Sequence, residues 1–265
     1  MSYRPKHHLT PPQGRLNDPN GMMLLGDELH VFYQHDPSFP AESKRTGWGH
    51  AVTTMGSGVW RHLPDALYPG QPYDVNGCYS GSGVVHDGRV RLFYTGNVKR
   101  GGERFTSQNI VHVEEIAGPM GGVYHRHRSN PVIEGPADGY TAHYRDPHVT
   151  QAQDGTWRMV LGAQRVNGTG AAVLYTSDDL EHWEFAGEVE FAGLNYNTAS
   201  AYMWECPNLL RMRDRATGRE RDVFVFCPQF PDSDECGYVV GKLDGLRFEV
   251  DRDFTQIGRA SCRER

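Results

Sequence analysis

The chain has 265 residues, with 31 glycines, 16 prolines and a net charge of −6. That length holds one or two domains, and a Gly plus Pro share of about 18 % excludes collagen-like and low-complexity chains. No stretch approaches the ~20 apolar residues of a membrane helix, and the acidic balance gives no electrostatic case for nucleic acid.

The first segment, Met1 to Pro12, lacks the apolar centre of a secretory leader. The five cysteines (Cys78, Cys206, Cys227, Cys236, Cys262) show no close pairing pattern and no Cys-x-x-Cys. An odd count without a leader fits free thiols in a reducing cytoplasm, and neither zinc nor another cofactor is expected. His125 and His127 alternate as on a strand face and are read as a solvated edge rather than metal ligands.

Helical periodicity is nearly absent, and short β-rich runs bounded by Gly, Asp and Pro take its place. In chain order one run recurs: Leu29 to Tyr33, Val90 to Tyr94, Trp157 to Leu161, Asp222 to Phe226. Each follows a turn signal, at Gly26-Asp27, Asp87-Gly88, Asp154-Gly155 and Thr217-Gly218. Before each turn stands another short run: Met22 to Leu25, Gly83 to His86, Val149 to Ala152, Leu209 to Met212. Each unit therefore opens with a hairpin and leaves room for two more strands. A fixed period of four-stranded units is the sequence mark of a β-propeller, with a β-sandwich as the alternative.

Carboxylates recur at matching places in the repeat. Asp18 lies 14 residues before Phe32 and Asp146 lies 14 before Val160, each followed by proline. Glu205 lies 20 before Val225, an excess that fits a longer turn between Arg213 and Arg221, and Pro207 follows shortly. Tyr79 takes the matching place in the second unit. Phased carboxylates suit glycoside cleavage, in which one acid attacks or activates water and the other protonates the leaving oxygen. The plain alternative is that Asp-Pro pairs merely start strands.

The stretches His8 to Pro12, Leu16-Asn17-Asp18-Pro19-Asn20-Gly21, Phe32 to His35, Trp48 to Ala51, Gly77 to Ser82, Tyr144-Arg145-Asp146-Pro147 and Trp204-Glu205-Cys206-Pro207 together resemble glycoside hydrolase family 32, the β-fructofuranosidases. The resemblance runs from about Arg4 to Asp253. It implies an all-β, five-bladed propeller followed by a β-sandwich. About four blades are expected here over residues 1–256, with the sandwich absent. It implies Asp18 as nucleophile, Glu205 as acid/base and Asp146 as transition-state stabiliser. Leu16, Asn17, Pro19, Gln34, Tyr79, Ser80 and Arg145 would line the fructose subsite. Two negative neighbours, Asp18 and Asp146, would favour the protonated form of Glu205. The Arg145 fork could hold one carboxylate bidentately, and Cys206 reads as a small buried hydrophobe. Trp48, Trp60 and Trp183 read as blade packing.

The implied activity is retaining hydrolysis of terminal β-D-fructofuranosides, sucrose, its 6-phosphate or short fructans, with a small sugar as partner and neither nucleic acid nor membrane. Lys44 and Arg45 near the site could meet a phosphate, with a solvated charged loop as the alternative reading. A fructosyltransferase, an inverting arabinan-cleaving relative and a non-catalytic sugar-binding propeller remain open readings. The stretch Ile257 to Arg265 fits no strand or cap. It is expected to be an artefactual tail, a translated sequencing adapter on a truncated gene. On that reading the isolated chain is expected to be insoluble or inactive.

Overall fold

A computed structural model describes residues 5, 7–42, 44–196 and 200–258, and these contain only strands and connecting turns apart from a short 3₁₀ fragment at Ser200. No helix among them is long and apolar enough to cross a membrane. The strands form four sheets in two compact units, residues 1–131 and 132–265. The fold class is that of a β-propeller, with each sheet a blade of consecutive antiparallel strands.

In the first unit, blade one is β1 (Arg15–Leu25), β2 (Glu28–Asp36), β3 (Gly47–Thr54) and β4 (Arg61–Leu67). Blade two is β5 (Cys78–His86), β6 (Arg89–Arg100), β7 (Glu103–Glu114) and β8 (Val123–Arg126). In the second unit, blade three is β9 (Tyr140–Gln151), β10 (Trp157–Arg165), β11 (Gly170–Ser177) and β12 (Glu184–Glu188). Blade four is β14 (Met203–Arg213), β15 (Glu220–Gln229), β16 (Cys236–Asp244) and β17 (Arg247–Gly258), and β13 (Glu190–Ala192) adds in parallel to β17 as a fifth strand.

The four predicted hairpins are the first two strands of the four blades. Asp87 and Gly88 both have positive φ, 49° and 71°, as a two-residue hairpin turn requires. Strand β17 continues through Ile257 and Gly258, two residues past the expected boundary. The rest of the expected tail, with Cys262, lies outside the described residues.

Second strands read as continuous apolar runs because both of their faces are buried, as in β2 and β6. Phe32, Trp48, Leu92, Tyr94 and Val111 make the core shared by blades one and two. Leu174, Trp204, Phe224, Phe226 and Phe248 make that of blades three and four. Each such side chain contributes roughly 1.5–3 kcal/mol by leaving water. Trp48 is fully buried and donates its indole N–H to the Tyr79 carbonyl at 3.0 Å, so it packs between blades as expected. Backbone approach is also built in: a Cβ on Gly162 would sit 1.9 Å from the Trp204 carbonyl oxygen, so only glycine lets β14 lie against β10 there.

Behind blades one and two, Asp74 is fully buried. It accepts from the Gly70 and Gln71 amides at 2.8 Å each, from the Tyr94 hydroxyl at 2.8 Å and from the Arg126 guanidinium. Arg126 also bonds the Tyr68 carbonyl at 2.6 Å, so one buried carboxylate ties the chain leading into β5 to the last strand of its blade. Burial first, then Asp74, pushes the neighbouring Cys78 thiol far up, so that it stays protonated and inert.

Candidate active site

The acids lie inside the first strands of blades one, three and four, at a β-bulge that blade two shares. In blade one, Leu16 pairs with His35 and Pro19 with Tyr33, so Asn17 and Asp18 lie in the bulge. Blade two repeats this: Cys78 pairs with Gly96 and Gly81 with Tyr94. In blade three, Tyr144 pairs with Ala163, Arg145 with Gly162 and His148 with Val160. In blade four, Trp204 pairs with Pro228, Glu205 with Cys227 and Asn208 with Val225. A bulge adds an unpaired residue and re-aims side chains, and bulges gather at functional sites.

These registers correct the phase read from sequence. Asp18 and Asp146 do share one position, but its counterpart in blade two is Ser80, not Tyr79. In blade four that place belongs to Cys206. Glu205 stands one residue earlier, level with Asn17, Tyr79 and Arg145. The bulge and the long β14–β15 turn hid this one-residue step. Asp146 and Cys206 both carry left-handed backbone, φ 66° and 47°, a conformation side chains other than Gly, Asn and Asp avoid.

In the first unit Asp18 is 8 % exposed, and its Oδ2 accepts the Ser80 hydroxyl proton at 2.6 Å. Ser80 Oγ in turn accepts from the Gln34 amide at 2.8 Å, and the Asn17 amide reaches Gln34 Oε1 at 3.5 Å. Asn17, Asp18, Gln34 and Ser80 are thus one connected network. Tyr79 is buried and offers its carbonyl to Trp48. Leu16 is half-buried and Pro19 exposed, each serving as a register partner beside the acid. Sequence reasoning missed Asn20, whose buried side chain accepts the Gly81 amide at 3.1 Å and joins the two bulges.

In the second unit Arg145, Asp146 and Glu205 are all buried. The Arg145 guanidinium lies on Glu205 Oε1, while its Nε is 3.7 Å from Asp146 Oδ2 and its Nη1 is 3.1 Å from His143 Nδ1. It also reaches Gln229 Oε1 at 3.5 Å. The fork therefore does not grip one carboxylate bidentately. It spans two acids, so Glu205 has a cation beside it that the sequence reading did not include. Asp146 Oδ2 accepts the Cys206 backbone N–H at 3.0 Å. Cys206 is half-exposed rather than buried, and its backbone is what it contributes. His148, two residues beyond Asp146, accepts the Leu209 amide at 3.3 Å, and burial lowers its imidazole to about 4, leaving it a neutral acceptor. His143, His148 and Gln229 were not found by sequence: the two histidines directly flank the Tyr144 to Pro147 motif, and Gln229 stands on the next strand, 24 residues beyond Glu205.

No metal centre was expected. His112 and His127 do approach in the first unit, with ring nitrogens 3.0 Å apart, and His125 lies instead 3.6 Å from Glu114 on the exposed edge.

The model of the glycosyl hydrolases family 32 N-terminal domain matches residues 8–261. The chain belongs to glycoside hydrolase family 32. It is 38 % identical over 265 residues to the sucrose-6-phosphate hydrolase of Bacillus subtilis (strain 168), covering 96 % of this chain and 52 % of that protein. It is 40 % identical over 228 residues to the one from Klebsiella pneumoniae, covering 86 % and 46 %. Among solved structures, a family 32 β-fructofuranosidase from Bombyx mori in complex with sucrose superposes with a TM-score of 0.77 at 30 % identity, covering 96 % of this chain and 52 % of that one. The sucrose-6-phosphate hydrolase from Lactobacillus gasseri gives 0.76 at 29 %, covering 97 % and 51 %. The chain thus spans about half the length of the family 32 relatives it matches.

Proposed function

We propose that this chain carries the catalytic residues of a retaining family 32 β-fructosidase whose preferred substrate is sucrose 6-phosphate, with sucrose second. The observation that carries the reading is the placement of Asp18, Asp146 and Glu205. Each is a buried carboxylate at the bulge of a blade's first strand, and each is held by named donors. Residues 1–256 are read as the propeller domain. The phosphate preference rests on the names of the relatives.

Asp18, steadied by Ser80, attacks the anomeric carbon of the fructosyl unit. The bond to the glycosidic oxygen breaks as Glu205 gives that oxygen a proton, and glucose 6-phosphate leaves. Water then attacks the fructosyl–Asp18 ester, and Glu205 takes its proton. Asp146 accepts fructosyl hydroxyls and, being ionised, favours the oxocarbenium-like transition state. Arg145 fixes the positions of Asp146 and Glu205 and sets the charge balance around the proton donor. Asn17, Gln34 and Tyr79, with Leu16 and Pro19, line the fructose subsite. Retention requires Asp18 and Glu205 carboxyls ~5–5.5 Å apart.

The test, run on the full-length gene product, is hydrolysis of sucrose 6-phosphate, sucrose and inulin, with the first product anomer followed by NMR. Highest kcat/KM on sucrose 6-phosphate with initial release of β-fructofuranose is expected. Initial α-anomer would replace the covalent route by inversion, and no release from any fructoside would refute the reading.

A further inference from the structure

Blade four holds a pair of thiols that the proposed reaction does not use. The β15–β16 ladder pairs Asp222 with Gly241 through to Phe226 with Gly237, and the bridge between Gln229 and Asp234 continues the same register. Cys227 therefore stands directly opposite Cys236. The Glu235 N–H donates to the Pro228 carbonyl at 3.2 Å, which marks the next pair as hydrogen-bonded and the Cys227–Cys236 pair as non-hydrogen-bonded. At such a site Cα atoms are ~4.5 Å apart, within the ~4.4–6.8 Å that a disulfide spans. Both cysteines are free thiols here, Cys227 buried and Cys236 half-buried.

The pair is aimed at the proposed acid/base. Glu205 pairs with Cys227 on β14, so Glu205, Cys227 and Cys236 form one row across three strands. Trp204, Phe224 and Phe226 fill the opposite face in the core. Paired residues in a ladder share a face, so the three side chains of the row lie on the same side. Gln229, which Arg145 touches, lies one row further along that face.

We propose that Cys227 and Cys236 form a reversible redox site, closed to a disulfide by exchange with a small-molecule disulfide such as oxidised glutathione, and that closure perturbs Glu205. The Cys236 thiolate attacks one sulfur of the oxidant and expels the first thiolate. Cys227, after losing its proton, attacks the Cys236 sulfur of the mixed disulfide and expels the second. The oxidant is reduced to two thiols as the protein loses two. The thiol–thiol hydrogen bond from Cys227 lowers Cys236 to about 7, so a large share is thiolate at neutral pH. Cys78, by contrast, is buried and held protonated. Cys236 is half-buried rather than enclosed, which leaves the bridge open to a reducing thiol.

The effect on turnover rests on the acid/base reading of Glu205; the chemistry of the pair does not. The test is incubation of the protein with oxidised glutathione, followed by alkylation and non-reducing peptide mapping. A Cys227–Cys236 linked peptide, released by dithiothreitol, is expected, with Cys78 still alkylated. Fructoside hydrolysis should drop several-fold on closure and recover on reduction. Cys236→Ser should match the reduced protein and ignore the oxidant. Two cysteines that remain alkylatable, or a glutathione adduct that never resolves onto Cys227, would overturn the site. The Glu205 carboxyl, assigned by carbon-13 NMR against Glu205→Gln, gives a readout without turnover. An identical titration in linked and reduced protein would overturn the coupling while leaving the disulfide.

Discussion

Arg145 and Glu205 hold the same register position in neighbouring blades, and the guanidinium of one lies on the carboxylate of the other. One residue further along, the same two blades are joined again, from the Cys206 N–H to Asp146. The first unit has the matching bond, from the Ser80 hydroxyl to Asp18. In both units, then, the aspartate at the bulge takes a hydrogen bond from the following blade, while Glu205 takes its donor from the preceding one.

Asp18→Ala is expected to remove nearly all fructoside hydrolysis, because no other group in the first unit's network can form the ester. Far-ultraviolet circular dichroism should be unchanged. Undiminished turnover in a folded variant would remove Asp18 from the nucleophile's role.

Ser80→Ala tests the donor. It takes the Ser80 donor from Asp18 and the Ser80 acceptor from the Gln34 amide in a buried place, a cost of ~1–3 kcal/mol. A fall in kcat/KM of about 10- to 100-fold is expected, with Ser80→Thr recovering part of it. Steady-state kinetics equal to the parent would show that Asp18 is positioned without Ser80.

For Glu205→Ala the leaving group decides. Proton assistance is worth ~10²–10⁴-fold, so sucrose should lose about that much in the first step. A fructoside with an acidic phenol as leaving group should lose far less there. Pre-steady-state bursts on both substrates make the comparison, and equal losses would exclude the acid role.

Acid sensitivity of the first unit should come from His50. It is fully buried, stacked on Phe32 at 4.1 Å, and its Nε2 is 3.1 Å from His30 Nδ1 while its Nδ1 is 3.1 Å from the Tyr124 hydroxyl. Burial, then His30, lowers His50 to about 3, and burial lowers His30 as well. Between the unfolded value near 6.5 and about 3, the unfolded chain binds a proton at His50 that the folded chain refuses. Stability from this group is therefore complete above pH 6.5 and falls as pH drops through that window, by at most ~1.4 kcal/mol per pH unit. Melting temperatures from pH 7 to 4 should show it. In His50→Gln the slope should be shallower, whatever the stability at pH 7, and an unchanged slope would place the acid sensitivity elsewhere.

The hairpins were legible because their turns need particular residues, such as Asp87-Gly88 and Asp154-Gly155, and because doubly buried second strands leave unbroken apolar runs. Asp18 and Asp146 were legible from spacing alone, since blades one and three have equal hairpin lengths. Glu205 was recognised through its motif but misplaced by one register step, because the β14–β15 turn changes the count and a bulge adds a residue that spacing cannot reveal. The Asp74–Arg126 pair left no sequence signal: 52 residues separate its members, and neither sits in a motif. Arg145 was found as a residue, but the two-acid reach of its guanidinium depends on blade packing that no local pattern encodes.

The bond from Ser80 to Asp18 crosses 62 residues and that from Cys206 to Asp146 crosses 60, and in both the donor comes from the later blade. During synthesis each acid therefore emerges well before its donor. At ~5–20 residues per second, the interval is about 3–12 s, through which the carboxylate must remain hydrated. A ribosome working from the amino terminus thus completes the surroundings of Asp18 and Asp146 only when it has made the blade after each.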